Sequence, residues 1–214
     1  MSKIQVWGIG TFRCFRVYWT LEELGLDYDH RPIRSRTGET NTPEYRRINP
    51  KEKIPTLLDK AFVISESAAI IEYLIESYGA LSNFYRPTDL KERMRALEWN
   101  YFSMTELDAT ALYVIRRHKG LPEIYGDAPK AVESAEDYFF KQINAVKHLV
   151  SARGEFLCGA EISTADIIMT TNLDAADNYG IKLPREWEEY KRRMNERNAY
   201  LRAIKVNYPD GKIL

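Results

Sequence analysis

The chain has 214 residues, of which 44% are hydrophobic and 29% charged, a composition typical of a globular protein and not of a disordered or collagen-like one. Its 31 basic and 31 acidic side chains cancel, which argues against nucleic-acid binding as the main role, because such binding depends on a positive surplus. The length allows one or two domains and a core large enough to fold without disulfides or metals.

The first residues, MSKIQVW, lead directly into an alternating pattern, without the basic, apolar and small-residue regions of a signal peptide. Every apolar run is shorter than the 18 or so residues that span a bilayer. We therefore expect a soluble, cytoplasmic protein that binds no membrane. The two cysteines, Cys14 and Cys158, and the three histidines are scattered, so we expect reduced thiols and no metal site.

Strand and helix patterns alternate over the first 79 residues. Strands joined through a helix run parallel, whereas a short connection between two strands predicts an antiparallel hairpin. The order therefore predicts a thioredoxin-like α/β domain at residues 1–79. The predicted elements are a strand at 3–8, a helix from Cys14 to Leu24 that Gly25 ends, a weaker strand at 27–33, a short helix opened by Thr42 and Pro43, strands at 54–58 and 62–65, and a helix from Ala68 to Tyr78.

The rest of the chain is helical in period. Residues 80–89 include Ser82, Asn83 and Pro87 and break that period, which indicates a linker. Residues 88–214 are predicted to form an all-α domain. Its helices are expected at 90–118, as one helix or two joined by a kink, at 130–152, at 164–179, and at 185–206 with a break near Asn198.

The loop before the first helix, Thr11-Phe12-Arg13-Cys14, is the first candidate site. Thioredoxin-like proteins can carry a pair of cysteines there, but one cysteine alone cannot complete an internal dithiol–disulfide cycle. A hydroxyl at a helix N-terminus can instead donate to an external anion, helped by the unpaired amides and the helix dipole. Alternatively, Thr11 is a simple N-cap residue.

Two further positions could bind a ligand. Pro55, at the start of a predicted strand, could follow a cis bond that turns the backbone of Ile54 towards a ligand, or it could be an ordinary trans residue. Glu66 and Ser67, at the start of the next helix, could hold the ammonium and carboxylate of an α-amino acid group. Alternatively, Ser65 and Ser67 cap that helix and Glu66 complements its dipole.

In combination, these segments resemble the cytosolic glutathione transferase superfamily, in its bacterial-type or theta- and zeta-like members. The resemblance covers essentially the whole chain, and its motifs follow one another in the order typical of the family. The motifs are residues 11–25, which end in Thr-Leu-Glu-Glu-Leu-Gly, then Asn49-Pro50, Lys53-Ile54-Pro55-Thr56-Leu57, Glu66-Ser67, Ile70-Ile71-Glu72-Tyr73-Leu74, Arg95-Ala96 before Trp99, and Ser163-Thr164-Ala165-Asp166.

The resemblance implies the glutathione transferase fold. In this family the thioredoxin-like domain binds glutathione, and the helical domain supplies a second-substrate pocket and much of a homodimer interface. Glu66 and Ser67 would hold the γ-glutamyl end of glutathione. The backbone of Ile54 would pair with the cysteinyl unit beside a cis Pro55, and Lys53 would contact the glutathione backbone or a carboxylate.

The thiolate-stabilising Ser or Tyr of the family maps onto Thr11. A second mapping, that of cysteine-type bacterial members, places the catalytic position on Arg13 or Cys14. Against the second mapping, Cys14 lies on the apolar stripe of its helix, where a small buried residue is expected. The sequence departs from the family pattern at Glu52, where glycine is frequent, and at Asn198, where proline often starts the last helix.

The predicted function is conjugation of the glutathione thiolate to a small, hydrophobic electrophile, as in detoxification. The alternatives are glutathione-dependent reduction, isomerisation or dehalogenation, or a non-catalytic protein of the same fold that binds ligands or proteins. A second-substrate pocket would be lined by Ile9, Phe12, Tyr101, Met104, Thr105, Tyr113 and Arg116. The helical spacing of these residues fits core packing equally well.

Overall fold

A computed structural model describes residues 4–150, 152 and 154–211, and these residues divide into two compact units. The first unit contains residues 4–82 together with 197–211, and the second contains residues 83–196. The C-terminal segment thus groups with the first unit, which the division into 1–79 and 88–214 did not anticipate. Lys3 and Ser151, which fall in predicted elements, and residues 212–214 lie outside the described residues.

Four strands within the described residues form the sheet of the first unit. They are β1 (Ile4–Trp7), β2 (Tyr28–Arg31), β3 (Thr56–Asp59) and β4 (Phe62–Ser65), in the spatial order β2-β1-β3-β4. β1 and β2 run parallel, whereas β3 is antiparallel to both of its neighbours. The predicted thioredoxin-like topology is confirmed.

Three α-helices follow the strands of the first unit: α1 (Phe12–Leu24), α2 (Pro43–Ile48) and α3 (Ser67–Tyr78), with 3₁₀ turns at 39–41 and 79–81. Gly25 ends α1 in the left-handed conformation, with a φ of 63°, as its position predicted. The apolar stripe of α1 is fully buried, so this face of the helix belongs to the core of the first unit. This stripe consists of Cys14, Val17, Tyr18 and Leu21.

The second unit is helical. Residues 90–120 form one continuous helical segment, made of α4 (Leu90–Tyr101), a π-helical stretch (Phe102–Leu112), α5 (Tyr113–Ile115) and a second π-helical stretch (Arg116–Gly120). One helix or two joined by a kink were predicted here, and the structure has the single continuous segment, although its turns are wider than α-helical ones over much of its length. The remaining helices of this unit are α6 (Pro122–Tyr125), α7 (Pro129–Val146), α8 (Thr164–Asn178) and α9 (Arg185–Asn195).

Two details of the second unit differ from the prediction. The helix predicted to reach residue 152 ends at Val146, where the backbone leaves the helical region at φ −104° and ψ 3°, and a 3₁₀ turn follows at 147–149. The short helix α6 was not predicted, although Pro122 occupies its first turn as proline often does. Within the described parts of the chain, every helix is too short or too polar to cross a membrane.

The last helix, α10 (Asn198–Asn207), packs beside α1 in the first unit. At one end, the Arg197 guanidinium forms two hydrogen bonds with the Glu23 carboxylate, at 2.6 and 2.9 Å. At the other end, the carbonyl of Asn207 accepts the amide of Gly10 at 2.9 Å. The two helices are therefore antiparallel, and the end of α10 lies at the start of α1.

Candidate functional site

One edge of the sheet collects the segments that the sequence analysis singled out. Trp7 of β1 pairs with Thr56 of β3, which in turn pairs with Ser65 of β4. The chain leaves β1, enters β3 and leaves β4 at this level, so the adjoining loops start from neighbouring strand ends. These loops are residues 8–11, 53–55 and 66–67.

Gly8 allows the loop after β1 to approach the turn before β3. Its φ is 114°, and a Cβ at this position would lie 2.5 Å from the Cβ of Ile54 and 3.0 Å from the Sγ of Cys14. Glycine alone fits such a position. The hydroxyl of Tyr18 donates to the Gly8 carbonyl at 3.0 Å, and burial raises the pKa of Tyr18, so the phenol stays protonated and available as a donor.

Thr11 is the N-cap residue of α1, as one interpretation of the sequence predicted. It has extended backbone angles, and its side-chain oxygen accepts the amide of Cys14 at 3.0 Å. A hydroxyl that accepts one hydrogen bond still has its own proton to donate. Thr11 is only 6% exposed, so a donor placed here acts in a largely water-free setting. The N-cap position is confirmed, and donation to a ligand stays a prediction.

Arg13 and Cys14, the alternative catalytic residues, lie in the first turn of α1. Arg13 is half-buried, whereas Cys14 has an exposed fraction of 0%. Cys14 and Cys158 are both buried, and neither forms a disulfide bond. Burial in apolar surroundings disfavours a thiolate, so the setting of Cys14 fits a small core residue.

The turn before β3 is fixed through the backbone of Lys53. The Ile54–Pro55 peptide bond is cis, as the resemblance implied. The Lys53 carbonyl accepts the hydroxyl of Tyr45 at 2.6 Å and the side-chain amide of Asn49 at 2.8 Å. Burial raises the pKa of Tyr45, which keeps its hydroxyl protonated for this bond. The side chain of Lys53 remains exposed.

Glu66 and Ser67 connect β4 to α3. Glu66 has a φ of 74° and a carboxylate 2.7 Å from Nζ of Lys51, and both of these side chains are exposed. Ser67 is buried, and its Oγ accepts a hydrogen bond from the Arg16 guanidinium at 3.2 Å. The alternative that Ser65 and Ser67 cap α3 is wrong, because the N-cap position belongs to Glu66 and Ser67 is already inside the helix.

The residues predicted to line a second-substrate pocket are divided between the two units. Ile9 and Phe12 are buried in the first unit. In the second unit, the exposed Thr105 donates its hydroxyl to the carbonyl of Tyr101 at 2.8 Å, and the Tyr101 side chain is 64% exposed. The remaining three, Met104, Tyr113 and Arg116, are half-buried in the second unit.

A cavity of about 350 Å³ lies within the helical unit. Its apolar lining includes Trp99, Phe102 and Leu149, and Arg95 and Glu98 also border it. These side chains differ from the seven predicted for a second-substrate pocket. Within residues 4–150, 152 and 154–211, the His, Cys, Asp and Glu side chains form no group of three that could hold a metal ion.

Three residues that organise the site were not predicted. Arg16 supports Ser67, Tyr45 supports Lys53, and Asn207 binds the loop before α1. An arginine between apolar residues of a predicted helix, as in Phe15-Arg16-Val17, is a sequence signal that could have identified Arg16. Asn207 is separated from Thr11 by 196 positions, and local sequence patterns carry no information on such a pair.

The arrangement has the groups needed to bind an α-amino acid and an anion side by side. Ser67 and Glu66 match a carboxylate and an ammonium. Thr11, together with the first amides of α1, forms a donor cluster at the positive end of a helix dipole, where an anion is stabilised. The backbone of the half-buried Ile54, next to Pro55, belongs to the strand end between these two positions along the sheet edge.

Comparison with known proteins identifies relatives for this arrangement. Residues 13–77 match the family described as "Glutathione S-transferase, N-terminal domain". The glutathione S-transferase-like protein gedE of Aspergillus terreus is 31% identical to this chain in an alignment of 190 residues that covers 78% of this chain and 77% of that protein.

Solved structures share the fold. The glutathione transferase URE2P6 of Phanerochaete chrysosporium, in complex with oxidized glutathione, has a TM-score of 0.83 at 22% identity and covers 97% of both chains. The theta class glutathione S-transferase of Xanthomonas axonopodis pv. citri, with glutathione bound, also has a TM-score of 0.83, at 24% identity, over 95% of this chain and 98% of that one.

Proposed function

Because the chain belongs to the cytosolic glutathione transferase superfamily, we propose that it conjugates the glutathione thiolate to a small, hydrophobic electrophile in the cytoplasm. The observation that carries this proposal is the meeting of Thr11, the Ile54 backbone and Ser67 at one edge of the sheet. Glutathione has a cysteinyl unit between its γ-glutamyl end and its second carboxylate, so Ser67 is proposed to bind the γ-glutamyl end while the Ile54 backbone and Thr11 face the cysteinyl unit.

Ser67 and Glu66 hold the γ-glutamyl end in this proposal. The Ser67 oxygen already accepts from Arg16, so its own proton is directed to a ligand carboxylate. Glu66 exchanges Lys51 for the ligand ammonium, which costs little because an exposed ion pair contributes only about 0 to 1 kcal/mol. The backbone of Ile54 pairs with the cysteinyl unit, and Lys53 binds a carboxylate.

Thr11 activates the thiol in this proposal. A thiol with a pKa of about 8.5 is roughly 3% ionised at pH 7, and lowering that pKa by about two units takes roughly 2.7 kcal/mol. A helix dipole supplies about 0.3 to 1 kcal/mol, and a hydrogen bond to a charged atom about 1.5 to 3 kcal/mol. The dipole of α1 alone is therefore insufficient, and the Thr11 hydroxyl supplies the larger part.

The chemical step is nucleophilic attack. The thiol proton passes to solvent, the thiolate electron pair forms a carbon–sulfur bond, and the electrophile either releases its leaving group with the bonding pair or takes up a proton after addition. A lower pKa also makes the sulfur a weaker nucleophile, with a Brønsted slope of about 0.4 to 0.5. Holding the two substrates together therefore supplies most of the rate enhancement.

Replacing Thr11 with valine is expected to raise the apparent pKa of bound glutathione by about one to two units, because the donor is lost while the shape is kept. Turnover near neutral pH should fall several-fold, and the loss should shrink at alkaline pH, where the thiol ionises without help. A pH–rate profile measures both effects. Thr11→Ser should behave like the wild type, because it keeps the hydroxyl. An unshifted profile in Thr11→Val contradicts the assignment.

The same profile separates the alternative catalytic residues. Cys14→Ser is expected to lower stability more than activity, because the thiol is buried in the core. A folded but inactive Cys14→Ser, with thiol transferase activity in the wild type, assigns the role to Cys14 and to disulfide chemistry. Arg13→Met, which keeps the aliphatic stem, should leave the pKa of bound glutathione within about half a unit of the wild type, and a larger rise assigns thiol activation to Arg13.

We also propose a homodimer, as in the family. Apolar side chains on the long helical segment are exposed, with Met94 at 46% and Tyr101 at 64%. Light scattering at micromolar concentration should give twice the 25.0 kDa chain mass. Tyr101→Glu should weaken association by about 2 kcal/mol, roughly 30-fold, if this aromatic side chain is an interface anchor. Ile124→Glu, at a similarly exposed position in the same unit, is the control, and a monomeric wild type refutes the proposal.

A panel of electrophiles distinguishes conjugation from the alternatives. Glutathione consumption with a stable thioether product supports conjugation. Disulfide formation, an isomerised product, or halide release without a stable thioether product each indicates one of the related glutathione-dependent reactions. Retention on immobilised glutathione without turnover of any electrophile supports a non-catalytic binding protein.

A further inference from the structure

We infer that Asn207, the last residue of α10, is a positioning residue that holds the Thr11 loop in its thiol-activating conformation. This inference rests on the proposed function, because it assigns to Asn207 an effect on the thiol of bound glutathione. Asn207 is reached by the chain only after the whole helical unit has been completed.

The geometry is a clamp on two consecutive residues. The Gly10 amide donates to both the main-chain carbonyl of Asn207, at 2.9 Å, and its side-chain oxygen, at 3.2 Å. The side-chain amide of Asn207 donates to the carbonyl of Thr11 at 3.1 Å. One buried side chain therefore bonds to the Gly10 amide and to the Thr11 carbonyl, in addition to the Asn207 main-chain carbonyl and the Phe15 amide that these two groups also bind.

The clamp acts on the loop where it is least restrained by the sheet. The amides of Gly8 and Ile9 still bond to the carbonyls of Arg31, the last residue of β2, and of Ile33 just beyond it. From Gly10 onwards the chain has left the sheet. Gly10 adopts a φ of 74°, and because it has no side chain its backbone could adopt many other conformations. At this residue the hydrogen bonds from Asn207 replace those from the sheet, and they fix the direction in which α1 begins.

The rest of α10 makes Asn207 a rigid support. The ring of Tyr200 packs edge-on against Phe15 and Trp19 of α1, with centroids 4.9 and 5.0 Å apart. The Arg197 and Glu23 side chains pair at the far end of the two helices. Because α10 is anchored along α1, the position of its last residue is set relative to Thr11.

Loss of the Asn207 hydrogen bonds should change the orientation of the Thr11 hydroxyl, although Thr11 itself is still present. Asn207→Leu keeps the branched shape of the side chain and removes both side-chain hydrogen bonds. We expect the apparent pKa of bound glutathione, measured from thiolate absorbance, to rise by about half a unit to one unit. Turnover at neutral pH should fall about two- to five-fold and recover at alkaline pH. A variant that only lost stability would show neither pH-dependent change.

The matched control is Asn172→Leu in the second unit. Asn172 is also a buried asparagine, and its side-chain amide also donates to a backbone carbonyl, that of Ser103 at 2.7 Å. It should lose comparable stability without changing the thiol pKa. The double variant Thr11→Val with Asn207→Leu should show the pKa of Thr11→Val alone, because Asn207 acts through Thr11. Additive shifts contradict the inference.

Two further measurements keep the outcome decisive. Amide hydrogen exchange at Gly10 in ligand-free protein should accelerate in Asn207→Leu and not in Asn172→Leu, which tests the clamp without glutathione. Asn207→Ala replaces the leucine variant if the latter does not fold. A wild type that leaves the thiol pKa of glutathione unlowered refutes the proposed function and this inference with it. A lowered pKa that is equal in the wild type and Asn207→Leu refutes this inference alone.

Discussion

Asp166→Ala is expected to lower the free energy of unfolding by about 3 to 5 kcal/mol, the largest effect of any single change considered. The Asp166 carboxylate is fully buried and accepts the amides of Leu157 and Ser163, at 2.9 and 2.8 Å, and the hydroxyl of Tyr190 at 2.6 Å. Alanine leaves these donors buried without their acceptor. Burial raises the pKa of Asp166, and the hydrogen bonds oppose that rise. These bonds therefore offset part of the free energy needed to bury the charge.

Urea denaturation of matched variants checks this expectation. Asp177 lies on the same helix, but its carboxylate is exposed and pairs with Lys191 at 2.8 Å. Asp177→Ala should therefore cost less than about 1 kcal/mol. Tyr190→Phe, which removes one of the bonds to Asp166, should cost about 1.5 to 3 kcal/mol. If Asp166→Ala unfolds within about 1 kcal/mol of the wild type, the carboxylate does not organise the helical unit.

Local signals allowed much of the fold to be predicted. The alternating and helical periods identified the strands and long helices, and Gly25 marked the end of α1, which the structure confirms. The rule that a helical crossover joins parallel strands gave the direction of β2 relative to β1. These features depend on residues close together in sequence or on general topology.

The helical period could not show that the segment after Tyr101 adopts π-helical turns. The Ser103 carbonyl accepts the side-chain amide of Asn172 at 2.7 Å, from a helix that is distant in sequence. Such a bond depends on tertiary packing, which the pattern of apolar residues does not encode. The grouping of α10 with the first unit has the same origin, since it follows from packing against α1.

At the site, the sequence indicated the three segments that meet at the sheet edge, but not the residues that hold them in place, Arg16, Tyr45 and Asn207. Thr11, Ile54 and Ser67 lie at adjoining strand ends, which the strand order made predictable. Glu52 departs from the glycine frequent in the family, and it adopts a positive φ of 55° that explains why glycine suits that position. Its carboxylate pairs with Arg46 at 2.5 Å, a compensation that could be recognised only in three dimensions.

Burial separates the two residues proposed to hold the γ-glutamyl end. Glu66 is exposed, and water and salt screen its attraction for an ammonium. Ser67 has an exposed fraction of 2%, and its partner Arg16 one of 1%. A hydrogen bond between Ser67 and a ligand carboxylate therefore forms in a setting of low dielectric, beside a buried guanidinium. Most of the binding free energy at this end should come from Ser67 and not from Glu66.

Ser67→Ala is accordingly expected to weaken glutathione binding by about 1.5 to 3 kcal/mol, roughly 10- to 150-fold, because a charge-assisted hydrogen bond is lost in a desolvated site. Calorimetric titration with glutathione measures the change. Glu66→Gln should weaken binding by less than about 1 kcal/mol. Ser77→Ala, at the exposed far end of α3, is the matched control and should bind as the wild type does. Unchanged affinity in a folded Ser67→Ala would mean that the ligand carboxylate is held elsewhere. If the buried Ser67 hydroxyl bound that carboxylate, its removal would have to lower the affinity.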